Sequence, residues 1–163
     1  MPELLWIEDE PAQLTAARGE IEDRGWNVTF RSDIVSAAEQ LSAKQYHALI
    51  LDLMVAGDRD GVQRGFANWA TYRLLCWLDG MAASAKAGVS EQWKRLDDIT
   101  PLAENRKIPA MILSAYNAPD VTKAMNFANQ ARIGVEIRLY SKPIDEVQVA
   151  EALLAVVAGS KAA

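Results

Sequence analysis

Five polar side chains could do chemistry together if the fold collects them: Glu8 and Asp9, Asp52, Ser114, and Lys142. Each ends or interrupts an apolar run, in "LLWIEDEP", "LILDLMV", "MILSA" and "LYSKP". Carboxylates gathered close together cannot all stay ionised cheaply without a countercharge. A divalent, oxygen-preferring cation resolves this, and Mg²⁺ (or Mn²⁺) is the natural guest, because it takes one or two carboxylates while keeping several waters. An aspartate beside such a cation can attack phosphorus and form an aspartyl-phosphate. The cation, the Lys142 ammonium and the Ser114 hydroxyl would then stabilise charge on the equatorial phosphoryl oxygens from separate directions. Each residue also has a plainer reading. The run Glu8 to Glu10 could complement the dipole at a helix N-terminus, Ser114 could close a strand-end turn, and Lys142 could be a surface charge. Asp52 resists such a reading, since an acid inside an apolar run faces desolvation unless it sits at an exposed strand end with a partner.

The elements that would position these groups follow from hydrophobic patterning. Residues 4–7, 26–30, 48–55, 108–115 and 135–143 read as strands, short and apolar or β-branched. Between them, 12–25 reads as a helix with Pro11 at its first turn and Gly25 as its stop. Residues 32–45 read as a helix capped by Ser32 or Asp33, and 145–159 as a final helix with acids in its first turn. Strands apolar on both faces and alternating with helices specify a parallel sheet covered on both sides. In open α/β sheets chemistry gathers outside the carboxyl ends of the strands. Glu8, Asp9, Asp52, Ser114 and Lys142 all fall at such ends, which is far more specific than any one of them.

Composition sets the outer bounds. A chain of 163 residues, 50% hydrophobic and 24% charged, has the size and make-up of one well-cored soluble domain, 1–163. A net charge of −5 argues against a broad nucleic-acid-binding surface. No apolar run is long enough to span a bilayer and no secretory signal is visible, so a cytoplasmic place and no membrane partner are expected. The single cysteine, Cys76, excludes an internal disulfide, fits a reducing compartment and reads as a small buried apolar residue. The lone His47 has no Cys or second His nearby to make a zinc site.

In order and placement, "WIEDEP", "LILDLMV", "MILSAY" and "LYSKP" resemble the receiver domain of bacterial two-component response regulators. The resemblance implies a flavodoxin-like (βα)5 fold: a doubly wound, five-stranded parallel sheet, here with an extended third helix and a helical insertion. It implies a phosphoacceptor signalling domain rather than a turnover enzyme, with Asp52 phosphorylated by a sensor histidine kinase or phosphotransfer protein. Glu8 and Asp9 match the acidic pair that organises Mg²⁺, and the Met54 backbone carbonyl matches the third protein ligand. Ser114 matches the switch hydroxyl, Ala115 the small residue behind it, and Tyr140 the switch aromatic. Lys142 and Pro143 match the lysine–proline pair, whose peptide bond is typically cis. Glu at position 8, where Asp is more usual, implies metal binding with altered affinity. An alternative is a receiver-like interaction or dimerisation module that works without phosphorylation. A phosphatase of the haloacid dehalogenase type is disfavoured, because Met54 stands where that chemistry needs a general acid.

The departure from the family lies between strands three and four, where Asp52 and Ser114 stand 62 positions apart. An insertion within about 61–107 is expected, opening with a long helix over 61–88 that is interrupted only at Gly65 and Gly80. A shorter helix starting at the Ser90 cap would follow over 90–99. Phe66, Trp69, Trp77 and Met81 fall near one face of the long helix. They either fill the protein's own enlarged core or form an interaction face for a homodimer or docking partner. The stretch from Ser114 to Lys142 is also long, which puts the family's usual dimer face in doubt. Within this sequence no effector segment follows the last helix, so output is expected to run through protein contacts.

Overall fold

The computed structural model describes residues 1–8, 10–52, 74–75, 77–78, 80, 95–114, 137–141 and 145–162; at 52, 114, 137–141 and 160–162 it describes the backbone alone. Five strands, β1 (Glu3–Ile7), β2 (Asn27–Arg31), β3 (Ala48–Asp52), β4 (Ala110–Ser114) and β5 (Ile137–Ser141), form one sheet. Its order is β2-β1-β3-β4-β5, and every pairing is parallel. This is the doubly wound flavodoxin-like order, in which the chain moves outward in opposite directions from β1 and β3.

Period-two alternation splits the apolar residues between two cores. Leu5, Ile7, Leu49, Leu51, Ala110 and Ile112 pack with α2 (Ile34–Ala43) and with Leu74, Leu75, Trp77, Leu78 and Leu96. Leu4, Trp6, Ala48, Ile50, Met111 and Leu113 pack on the other face, with α1 (Thr15–Asp23) and the C-terminal helix (Glu146–Ala162). Each fully buried Leu or Ile contributes about 1.5–3 kcal/mol relative to exposure. A one-residue register slip would exchange the two sets, so the pattern fixes the pairing.

The local signals act where the sequence placed them, with small shifts. Pro11 opens not the α-helix itself but a tight 3-10 turn, Pro11–Leu14, and α1 begins at Thr15. The fixed φ of proline suits such a first turn, and short 3-10 pieces are common at helix starts. Gly25 ends the connection at φ +90, a conformation that L side chains rarely adopt. Of the two candidate caps for α2, Asp33 takes the role: its Oδ1 accepts the Ser36 N–H at 2.8 Å. Asp145 does the same before the C-terminal helix, accepting the Gln148 N–H at 2.7 Å.

Between β3 and β4 the described residues turn inward. Trp77 is 5% exposed, and its indole N–H is shared between Leu96 O and Ile99 O, each at 2.8 Å. Of the four residues grouped as an interaction face, Trp77 is therefore core, because its only polar atom is satisfied by the protein's own carbonyls. Gly80 follows as a turn at φ +90, its N–H donating to Trp77 O at 3.0 Å. Phe66, Trp69, Cys76 and Met81, and the expected cap at Ser90, lie outside the described residues. A buried Asn105 ties this region to the end of α2. Its Oδ1 accepts the Tyr46 N–H at 2.8 Å, and its Nδ2 donates to Leu41 O at 2.8 Å and to Lys44 O at 2.7 Å.

Candidate functional site

The carboxyl edge of the sheet is set by register. Ile7 pairs with Leu51, so Glu8, one step beyond, comes level with Asp52, the last residue of β3. Asp52 in turn pairs with Leu113, and Ser114 pairs with Ser141, the last residue of β5. Tyr140 stands opposite Leu113, and the chain leaves β5 into Lys142 and Pro143. The strand ends therefore bring Glu8, Asp52 and Ser114 to one edge, and direct the chain to Asp9 and Lys142 from that edge. It is also where ligands sit in doubly wound sheets, at the β1/β3 switch point. Asp9, Met54, Ala115, Lys142 and Pro143 lie outside the described residues, and of Asp52, Ser114 and Tyr140 the backbone place is described.

Glu8 is held firmly. Its N–H donates to Arg31 O at 2.9 Å, extending the β1/β2 ladder by one bond, and the residue is only 5% exposed. A glutamate that deep at a strand end, beside a second acid, is the donor chemistry a hard cation prefers, and the residues present fit such a group. Among the described residues no set of three His, Cys, Asp or Glu side chains converges as a metal cluster, and Asp9 and the Asp52 side chain lie outside them. Glu10 stands apart. It occupies the N-cap place of the 3-10 turn and is exposed; its carbonyl accepts the Gln13 N–H at 3.3 Å, while its carboxylate accepts from the Gln13 side-chain amide at 3.0 Å and caps no backbone N–H.

The opposite edge carries a polar cluster that sequence patterning did not reveal. Glu3 accepts from Asn27 Nδ2 at 3.1 Å and pairs with Lys44 at 2.9 Å, while its own N–H donates to His47 Nδ1 at 3.0 Å. Burial works against the charged form of Glu3, but the hydrogen bonds from Lys44 and Asn27 and the Lys44 charge outweigh it, holding the carboxyl below its ordinary value. His47 thus has a structural partner, and no role at the carboxyl edge. The one hint in the sequence was the polar residue at the entry of each strand, Glu3 and His47.

No model of a protein family matches the sequence, and no curated protein does. Solved structures do match over nearly the whole chain. The signal receiver domain of a signal transduction histidine kinase from Syntrophus aciditrophicus is 18% identical, with TM-score 0.64 over 100% of this chain and 95% of that one. The receiver domain of a sensor histidine kinase from Pseudomonas aeruginosa, with a magnesium ion coordinated in its active-site cleft, is 15% identical, with TM-score 0.63 over 96% and 98%. A response regulator from Burkholderia pseudomallei, with a phosphorylated aspartic acid, a calcium ion and citrate, is 16% identical, with TM-score 0.58 over 99% of this chain and 72% of that one. The fold is that of receiver domains.

Proposed function

We propose that this chain is a receiver that takes a phosphoryl group on Asp52 from a sensor histidine kinase, a phosphotransfer protein or a small phosphodonor. The observation that carries the reading is the register that sets buried Glu8 level with Asp52 at the β1/β3 switch point. A Mg²⁺ or Mn²⁺ ion would be held by Glu8, Asp9, Asp52 and the Met54 carbonyl, and when bound it supplies positive charge to the phosphoryl oxygens. The likeness to receivers that carry magnesium or a phosphorylated aspartate supports both parts.

In this reading an Asp52 carboxylate oxygen attacks phosphorus. The bond from phosphorus to the donor breaks, and its electron pair leaves with the donor. Lys142, from the end of β5, balances the added negative charge, and the Ser114 hydroxyl donates to a phosphoryl oxygen. Tyr140 follows Ser114 and changes a surface that a partner reads. The protein is a phosphoacceptor and not a turnover enzyme; its one reaction is its own phosphorylation and hydrolysis.

Intact-mass measurement after treatment with acetyl phosphate and Mg²⁺ tests this. Wild type should gain the mass of one phosphate, EDTA should suppress the gain, and Asp52→Asn should abolish it. Absence of any phosphorylated species on folded wild type would refute the reading. Partner binding that is identical in wild type and Asp52→Asn would then favour a phosphorylation-independent interaction module.

A further inference from the structure

Among the described residues β2 stands at one side of the sheet, paired with β1 alone. Asn27 N–H donates to Pro2 O and Glu8 N–H to Arg31 O, both at 2.9 Å. These bonds turn the backbone groups of Asn27, Thr29 and Arg31 toward β1. In a parallel ladder the alternate residues, Val28 and Phe30, then present their N–H and C=O groups outward. Each of those two outward carbonyls receives a guanidinium: Arg18 Nη2 donates to Val28 O at 3.3 Å, and Arg31 Nη1 donates to Phe30 O at 2.7 Å.

The two arginines arrive by different routes. Arg31 is the last residue of β2 and folds back onto its neighbour's carbonyl. Arg18 reaches across from α1, steered by Glu22, whose carboxylate accepts from its Nε at 2.9 Å. On the way its guanidinium carbon passes 5.6 Å from the centroid of the half-buried Phe30 ring, a cation–π contact. One side chain thus reaches both the half-buried Phe30 ring and the Val28 carbonyl. An uncovered edge strand is a template for another strand, and charged side chains are a common way to blunt it.

We infer that Arg18 and Arg31 close the outer edge of β2 against a strand from a second copy of this chain. A strand pairing there must donate to Val28 O and Phe30 O, so it must first displace both charge-assisted bonds. A second copy offering its own β2 would in addition bring four guanidinium groups together. The inference does not rest on phosphorylation: Arg31 stands beside Glu8 at the carboxyl edge, but its guanidinium goes to Phe30 O, and Arg18 comes from α1.

The test is the Arg18→Ala/Arg31→Ala double variant, followed by amide hydrogen exchange at Val28 and Phe30 and by light scattering over a range of protein concentrations. In the variant, strand-paired association should strengthen about tenfold or more, with the two amides gaining protection as concentration rises. In wild type the same amides should exchange at a rate independent of concentration. Concentration-independent exchange in the folded variant would overturn the inference, as would concentration-dependent protection in wild type. A measurement on wild type alone guards against a variant that misfolds: the Arg18 and Arg31 guanidinium groups should show slowed side-chain rotation by NMR, and free rotation of both would also overturn it.

Discussion

Replacing Asn105 with alanine should cost more stability than its place at the end of a single 3-10 turn, Ala103–Asn105, suggests. The side chain is fully buried and makes three bonds to backbone groups near the end of α2. Leu41 O retains a second donor, the Leu102 N–H at 2.9 Å, so its loss is partial. The Tyr46 N–H is buried and loses its acceptor outright, while Lys44 O is part-buried and recovers some water. Leaving a buried polar group unmatched costs about 1–3 kcal/mol, so the total should be about 2–4 kcal/mol. For a chain of this length that lowers Tm by roughly 5–15 °C. Urea unfolding followed by tryptophan fluorescence and circular dichroism measures it. Asn105→Asp provides the control: it keeps the acceptor for Tyr46 but sets a carboxylate oxygen against two carbonyls, so it should be no more stable than alanine. A loss below about 1 kcal/mol in the alanine variant, or native stability in Asn105→Asp, would refute the reasoning.

Further expectations can be checked on the same instruments. Gly25→Ala and Gly80→Ala both force a side chain to φ +90, at a cost of about 1–2 kcal/mol, but only at Gly80 would the new Cβ meet another group, Arg106 Nη1 at 2.8 Å. Because that atom is the far end of a flexible side chain that can move aside, the two variants should lose similar stability in chemical denaturation, set at both by the positive φ. Trp77→Phe deletes the donor to Leu96 O and Ile99 O and should cost about 1–3 kcal/mol beyond packing. The buried Trp6 indole N–H has no acceptor among the described residues, so Trp6→Phe should lose packing alone. The carboxyl of Glu3 is lowered in the folded state, so its contribution is complete above its ordinary value of 4.5 and is lost as pH falls through the folded value. Unfolding free energies of wild type and Glu3→Gln should accordingly differ most near neutral pH and converge on acidification below that value.

Much of the sheet could be read from the sequence because parallel strands buried on both faces need uninterrupted apolar runs, and "LLWI", "ALIL" and "AMIL" supply them. The edge that gathers Glu8, Asp52 and Ser114 was equally legible, since a polar residue ending such a run marks its carboxyl end. Trp77 was not, because helical periodicity names a face without saying what meets it; the acceptors Leu96 O and Ile99 O lie some twenty residues away. Asn105 gave no signal at all: a lone polar residue in a short turn looks solvated until the chain folds α2 against it. The capping of β2 was hidden for a related reason. Arg18 reads as the partner of Glu22 four residues on, and only the packing of α1 beside the strand carries its other nitrogen to Val28 O.

The proposed role rests on where a phosphoryl group lands. Treating the protein with acetyl phosphate and Mg²⁺, reducing the acyl phosphate with borohydride and mapping the peptides locates it, because reduction leaves homoserine in place of a phosphorylated aspartate. A receiver acting through this edge yields homoserine at position 52 in wild type and none in Asp52→Asn. Homoserine at another acid, or none in folded wild type, would contradict it.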